Sequence, residues 1–338
     1  VSSEVTTGAV WSNGTIDTTL KTALEGGFSI TGTNVEAPGN VDWSYSVTDN
    51  FDFLAKGETI TFTYTVTITD TNDATATDTV TITITGTNDT PTITSAISDI
   101  DFTEDINASS QTLSSSGKLH FDDIDTTDQI SVSSEVTTGA VWSNGTIDTT
   151  LKTALEGGFS ITGTNVEAPG NVDWSYSVTD NFDFLAKGET ITFTYTVTIS
   201  DTNDATATDT VTITITGTND IPIITTAISD FGFTEDINAS SQTLSSSGTL
   251  SFTDIDTTDQ ITITMALTTG ADWSNGTIDT SLKTTLEEGF SISGTNVDAP
   301  GSVNWSYSVT NVNLDFLAKD ETITFTYTVT ITDTNGAT

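Results

Sequence analysis

Oxygen ligands dominate the chemistry available to this sequence, and they come in short bursts. Asp70, Asn72, Asp73 and Asp78 form one; Asn88 and Asp89, then Glu104 and Asp105, then Asp122, Asp123, Asp125 and Asp128 follow. The pattern recurs at Asp201, Asn203, Asp204, Asp209, Asn219, Asp220, Glu235, Asp236, Asp254, Asp256 and Asp259. Carboxylates and amides gathered at one end of a domain would surround Ca²⁺, a hard cation that takes six to eight oxygens. Asp and Asn also populate turns, because their side chains bond nearby backbone and tolerate unusual dihedrals. The two readings differ in electrostatics. Several carboxylates within about 6 Å of one another repel, and shifted pKa values or a bound cation must relieve that repulsion.

Other chemistries are thinly supplied. The single histidine is His120, which the next copy of the same segment replaces with Ser251. There is no Cys, so disulfides and thiolate chemistry are excluded. All seven basic residues are Lys, and no Ser lies in a Gly-x-Ser-x-Gly elbow. A carboxylate pair hydrolysing glycosides would be an odd use of near-identical segments in series, and the expectation is that the chain is not an enzyme. Trp11 and Trp43 invite comparison with a sugar-stacking platform. Trp43 shares the alternation of Val41 and Tyr45, which favours burial, whereas Trp11 beside the Asn13-Gly14 turn is expected to be the more exposed. Thr-rich ladders such as Thr61 to Thr69 suggest an ice-binding face only if the strands lie flat, and antiparallel sheets twist. Lys21 and Lys56 read as solvated rather than as crosslinking residues. Asn13, Asn107 and Asn144 begin glycosylation sequons that matter only in a glycosylating host.

The elements that must position these residues are strands. From Thr59 to Thr69 the residues Ile60, Phe62, Tyr64, Val66 and Ile68 share one face and threonines the other, the period of a half-buried strand. Val41, Trp43, Tyr45 and Val47 repeat the pattern, as do Val80, Ile82 and Ile84. Gly, Asn and Asp bound each run, and several such strands per unit predict a sandwich. Asp17–Glu25 departs from the rule: Leu20, Ala23 and Leu24 share one side, with Asp17 as N-cap and Gly26 as stop, which predicts a short helix. The same holds for Asp148–Glu156 and Asp279–Glu287.

The chain is also written more than once. Displaced by 131 residues, Val1–Asp89 falls on Val132–Asp220 with Thr69 against Ser200 as the only difference. A more diverged third copy aligns Trp11, Trp142 and Trp273, and one extra residue after Asn311 slips the register. A long fixed period signals an array of like domains. The expected division is residues 1–89, the C-terminal part of a first β-sandwich repeat; 90–220, a complete repeat; and 221–338, a third repeat lacking its last strand. Such edges suggest a segment of a longer polypeptide.

Formal net charge is −40, from 47 acidic and 7 basic residues. That balance repels nucleic acid and anionic membrane surfaces, both of which need clustered cations. No nucleic-acid partner and no membrane insertion by this segment are expected. Abundant Thr, Ile, Val, Phe and Trp argue against disorder.

At these residues a resemblance appears. Leu54–Thr59, Thr79–Asp89 and Phe102–Asp105, together with Phe121–Asp125, resemble the VCBS-type, cadherin-like repeats of large bacterial surface adhesins of the RTX kind. The strand running into Gly-Thr-Asn-Asp-x-Pro is the most specific part. The resemblance implies an all-β fold: tandem Ig-like or cadherin-like antiparallel β-sandwich modules arranged as an elongated rod, exported to the cell surface or secreted, with Ca²⁺ at module junctions. Carried over by position, Asn88 and Asp89 match the linker motif, Glu104 with its neighbour Asp105 the early-strand acid, and Asp123 with Asp125 the Asp-x-Asp pair. The next copy supplies Asn219, Asp220, Glu235, Asp236, Asp254 and Asp256. The linker is shorter than that of cadherins, and the other acidic motif of that family has no clear partner. The function expected is a stalk that projects a distal adhesive domain in cell adhesion or biofilm formation. Its partners would be neighbouring repeats of the same chain. The alternatives are a glycan- or protein-binding module, or a subunit that self-associates into an extracellular filament.

Overall fold

The structure is a computed structural model; it describes residues 1–338 apart from Thr33, Asn34, Asn107, Ala108, Ala239 and Ser293. The sequon at Asn107 thus lies outside the described residues. The central repeat shows the architecture in full. Its strands are β1 (Thr92–Ser95), β2 (Ile100–Thr103), β3 (Gln111–Asp122) and β4 (Gln129–Trp142), followed by the helix α1 (Thr149–Glu156). Then come β5 (Phe159–Thr162), β6 (Val166–Glu167), β7 (Gly170–Asp180), β8 (Thr190–Ser200) and β9 (Thr206–Thr216).

These strands make two sheets, ordered β5-β7-β3-β1 and β6-β4-β8-β9-β2. The first four-strand order and the β4-β8-β9 run are those of a constant-type immunoglobulin sandwich. The N-terminal strand switches sheets: β1 pairs antiparallel with β3, and β2 crosses over to pair parallel with β9, Ile100 facing Ile213 and Thr103 facing Thr216. The chain is therefore an all-β array of tandem immunoglobulin-like modules.

Alternation explains why the sheets face each other as they do. Along β8, Ile191, Phe193, Tyr195, Val197 and Ile199 are buried and the intervening threonines half-buried. With Leu119, Phe121, Ile130, Tyr176, Phe182, Val211, Ile213 and Ile215 they build one core. The outward threonines stand in register across β8 and β9, Thr192 opposite Thr214 and Thr194 opposite Thr212. β-Branched side chains suit such a pleated surface.

The helix forms where the sequence places it. Asp148 accepts hydrogen bonds from the amides of Thr150 and Leu151 at 2.8 and 3.4 Å, satisfying donors that an N-terminal turn leaves open. Leu151 and Leu155 face the core, and Gly157 ends the helix. In the first repeat the helix runs Thr18–Gly26, taking in the expected stop, with Gly27 as cap. In the third it spans Thr280–Glu287.

Burial of the tryptophans differs from expectation. Trp43 is 62% exposed, while its counterpart Trp305 is 8% exposed. Trp305 stands opposite Gly248 in the adjoining strand, as Trp174 stands opposite Gly117. Trp11, expected at the surface, is half-buried edge-on against Phe53, ring centroids 5.0 Å apart. Among the described residues no helix is long and apolar enough to cross a membrane.

Candidate metal centres between repeats

Three segments meet at the end of the central sandwich that faces the first repeat. The linker Asn88-Asp89 leads into β1, the loop 123–128 joins β3 to β4, and the turn 201–205 joins β8 to β9. Hydrogen bonds knit them together. Asp89 donates its amide to Asp125 Oδ2 at 2.8 Å, and Asn88 donates its side-chain amide to Asp201 Oδ2 at 2.8 Å. Within the loop the amide of Asp125 reaches Asp123 Oδ1 at 3.1 Å. In the turn the amides of Asn203 and Ala205 reach Asp201 Oδ1 at 2.8 and 2.9 Å, and Asn203 Nδ2 reaches Asp128 Oδ2 at 3.1 Å.

The second junction repeats the arrangement. Asp220 donates to Asp256 Oδ2 at 2.8 Å, Asn219 to Asp333 Oδ2 at 2.9 Å, and Asp256 to Asp254 Oδ1 at 3.2 Å. Asn335 Nδ2 reaches Asp259 Oδ2 at 3.1 Å.

What is left after these bonds is informative. Asn88 Oδ1, Asp123 Oδ2 and Asp125 Oδ1 are buried and accept no hydrogen bond, and so are Asn219 Oδ1, Asp254 Oδ2 and Asp256 Oδ1 at the second junction. Such atoms normally find a partner, and leaving one bare costs about 1–3 kcal/mol. Each junction also brings three buried carboxylates within 4.8 Å of one another: Asp123, Asp128 and Asp201 in the first, Asp254, Asp259 and Asp333 in the second. Burial pushes Asp123 up to about 6, and the charges of Asp125, Asp128 and Asp201 add to it. Burial likewise lifts Asp254 to about 6 and Asp256 to about 8, the latter further raised by Asp220, Asp254 and Asp259. Asp125, Asp128 and Asp259 move in the same direction, again chiefly by burial. Bare inward-facing oxygens and mutually repelling carboxylates are the donor set of a hard divalent cation. The residues present fit Ca²⁺.

The sequence-derived set divides between the two ends of the central sandwich. Asn88, Asp89, Asp123 and Asp125 share the first junction. Glu104 does not join them: it lies at the end of β2, where Oε1 accepts from the amide of Thr218 at 2.6 Å and also from the Thr218 hydroxyl. Thr218 directly precedes Asn219 and Asp220, so Glu104 belongs with the second junction, and its Oε2 is another buried oxygen without a donor. Asp105 and Asp236 are exposed, with their backbone amides bonded to Gln111 and Gln242. Neither is gathered into a cluster. Glu235 is half-buried at the end of the third repeat opposite to Asp254 and Asp256, and Asp70, the counterpart of Asp201, is exposed.

Sequence reasoning placed Asp128, Asp201 and Asp259 in acidic bursts that could gather round a cation, but left them out of the set carried over from the family resemblance, and it did not name Asp333. Asp128 closes the same loop as the Asp-x-Asp pair, next to the start of β4, whereas Asp201 comes from the β8–β9 turn. Sequence reasoning also passed over Glu58. Glu58 Oε1 accepts from Asn13 Nδ2 at 2.8 Å and from Thr127 Oγ1 at 2.7 Å; Oε2 accepts from Trp11 Nε1 at 2.9 Å and the Ala55 amide at 3.2 Å. Burial would raise this carboxyl, but the hydrogen bonds from Thr127, Asn13, Trp11 and Ala55 outweigh it and hold it below the usual range. The recurrence of Trp and Glu at matching places in each copy was the available signal.

No family model matches the chain, and no curated protein matches it. Among solved structures it is similar to extracellular cadherin domains 1–5 of protocadherin gamma B2, at 13% identity over 95% of this chain and 51% of that one, TM-score 0.32. It is similar to domains 1–4 of protocadherin gamma B7, at 14% identity over 89% and 66%, TM-score 0.33. Mouse cadherin-23 EC22–24 gives 14% identity over 81% and 69%, TM-score 0.30. The chain spans about half the length of the protocadherin gamma B2 fragment. These neighbours are cadherin-like tandem domains; at such scores the likeness decides nothing about site or function, and the fold assignment rests on the strand order.

Proposed function

We propose that the chain is an extender: the stalk region of a long secreted or cell-surface adhesin, in which Ca²⁺ bound between successive repeats stiffens the joint. Its division at residues 89/90 and 220/221, its kinship with the VCBS-type repeats of RTX adhesins and its extracellular setting belong to this same reading. One observation carries it. At both junctions the same buried oxygens, on Asn88, Asp123 and Asp125 and on Asn219, Asp254 and Asp256, are left without a donor. At the first junction Asn88, Asp123, Asp125, Asp128 and Asp201 would hold the ion, with Asp89 beside them. At the second, Asn219, Asp254, Asp256, Asp259 and Asp333 would do so, with Asp220 and Glu104.

The mechanical consequence follows from where these groups sit. The linker residue belongs to the exit of one sandwich, whereas the loop and turn belong to the entrance of the next. An ion touching both removes the repulsion among the carboxylates and fixes the angle between repeats. An eleven-residue strand spans roughly 35 Å at about 3.3 Å per residue, so each repeat adds reach of that order. Extracellular modules bind Ca²⁺ at about 10⁻⁴ to 10⁻³ M, so such a joint would be loose in the cytosol and set outside.

Titration calorimetry of the whole chain with Ca²⁺, paired with small-angle scattering, tests this. Expected are binding heats in the submillimolar range and a maximum dimension that grows when chelator is replaced by Ca²⁺. Equal dimensions and no heat would refute it.

A further inference from the structure

The four hydrogen bonds on Glu58 do not all come from its own repeat. Trp11, Asn13 and Ala55 belong to the first repeat and fix the carboxylate in place, whereas Thr127 reaches it from the loop between β3 and β4 of the central repeat. Beside it, the Thr126 hydroxyl donates to the Phe53 carbonyl at 3.4 Å. The second junction shows the same contacts. Glu189 accepts from Trp142 at 2.8 Å, from Asn144 at 2.7 Å and, across the junction, from Thr258 at 2.6 Å; Thr257 donates to the Phe184 carbonyl at 3.4 Å. In the third repeat Glu321 is held the same way by Trp273 and Asn275.

We propose that Glu58 with Thr127, and Glu189 with Thr258, are ion-independent latches that keep consecutive repeats in contact and serve as the pivot about which each joint swings when Ca²⁺ is absent. Glu58 is 9% exposed, and four donors occupy its oxygens, so the carboxylate is spent on hydrogen bonds rather than held open for a cation. Charge-assisted bonds of this kind are roughly twice as strong as neutral ones. The loop 123–128 then carries two functions on one backbone. Asp123, Asp125 and Asp128 face the ion centre, and Thr126 and Thr127 between them face the preceding repeat. A repeat already pinned at Thr127 has its ligands held near the linker, so the ion closes a joint with one remaining freedom instead of capturing two separate domains. This rests on the calcium reading for what the ion adds, but the latch itself requires no ion.

The chain contains no Cys, so a T22C/T153C pair on the exposed faces of the first two helices can be labelled uniquely for distance measurements between the first two repeats. In excess chelator the parent chain should give a restrained distance distribution. T127V, which keeps shape and removes the hydroxyl, should broaden it at least twofold, and T127S should restore it. In saturating Ca²⁺ all three should coincide, and the calcium midpoint of T127V should rise severalfold. If T127V matches the parent in chelator, the latch is wrong. If Ca²⁺ changes none of the chains while T127V still broadens, the latch stands and the calcium reading falls.

Discussion

Asn88 hands its side-chain amide to Asp201 across 113 residues of sequence, 2.8 Å apart, and in doing so turns its own carbonyl oxygen inward. Asn219 and Asp333 repeat the relationship at 2.9 Å. A residue at the exit of one sandwich is thereby tied to the β8–β9 turn of the next. An Asp in place of Asn could not donate this bond, and a residue without a side-chain carbonyl would leave no oxygen for the ion. The amide thus does two jobs that no single charged group can do.

From this geometry, Asp256→Asn should have opposite effects with and without Ca²⁺. Burial holds Asp256 near 8, so near neutral pH the ion-free folded chain keeps the group largely protonated, and Asn resembles that form. In chelator the variant should match the parent or exceed it by about 1 kcal/mol, the cost of a buried polar group left unmatched. In Ca²⁺ it should lose the second junction's share of the thermal shift, with binding there at least tenfold weaker. Calorimetric melting of both chains in both conditions reads the two signs at once. A variant destabilised equally in chelator and Ca²⁺ would contradict the assignment.

The pH dependence should likewise reverse. In ion-free chain Asp123 and Asp254 titrate at about 6 and Asp256 at about 8, above the ordinary carboxylate value near 3.9. Folded chain then binds more protons than unfolded chain between about pH 4 and 8. The stabilisation is fully present below about pH 4 and is lost as pH rises through 6 and 8. With saturating Ca²⁺ the ligands must be ionised, so acidification releases the ion and lowers stability instead. Melting temperatures from pH 5 to 8 should fall in chelator and rise in Ca²⁺.

Much of this was legible in the residues, for identifiable reasons. Period two in Thr59–Thr69 reports a strand because its two faces meet different surroundings, and that information is local. Asp148 reports a helix start because its cap bonds reach only two and three residues ahead. The ion centre is partly local as well: Asp123 and Asp125 share one loop. Asp201 lies far along the chain, and its approach to Asp128 depends on the antiparallel pairing of β4 with β8, Ser131 opposite Ser200, which no local pattern encodes. Glu58 escaped for a similar reason. Its fourth donor, Thr127, comes from the next repeat, and its third, Trp11, looked like a surface residue because a turn follows it. That turn is where the ring lies: a Cβ on Gly14 would stand 2.3 Å from the Trp11 ring.

This stacking of Trp on the following turn yields a test in the central repeat. A methyl group added by Gly145→Ala would lie 2.3 Å from the ring of Trp142, whose Nε1 donates to Glu189 at 2.8 Å. The ring would have to move, at a cost of about 1–3 kcal/mol typical of overpacking, and the Glu189 bond would go with it. Trp142→Phe removes the donor together with part of the ring packed edge-on against Phe184, and should cost at least the roughly 1.5–3 kcal/mol of a hydrogen bond to a charged group. Denaturant midpoints at unchanged slope check both. Because both changes act through the same carboxylate, their combination should cost less than the sum.

The hydroxyls beneath α1 separate hydrogen bonding from packing in the core. Tyr195 donates to the Leu155 carbonyl at 3.0 Å, and Tyr176 approaches the same oxygen at 3.4 Å. Gly158 also donates its amide to that carbonyl at 3.3 Å, so three donors compete for two lone pairs. Burial raises Tyr195 to about 12, and its hydroxyl remains a donor throughout the physiological range. Tyr195→Phe should therefore cost about 1 kcal/mol, the net worth of a typical hydrogen bond. Tyr176→Phe should cost less than half as much, since the longer bond is the weakest of the three. Phe193→Ala, which empties a fully buried site in the same core, should cost about 3–5 kcal/mol. If both tyrosine variants instead cost as much as the cavity, the two rings are anchored chiefly through their oxygens, and the helix is held by those bonds more than by Leu151 and Leu155.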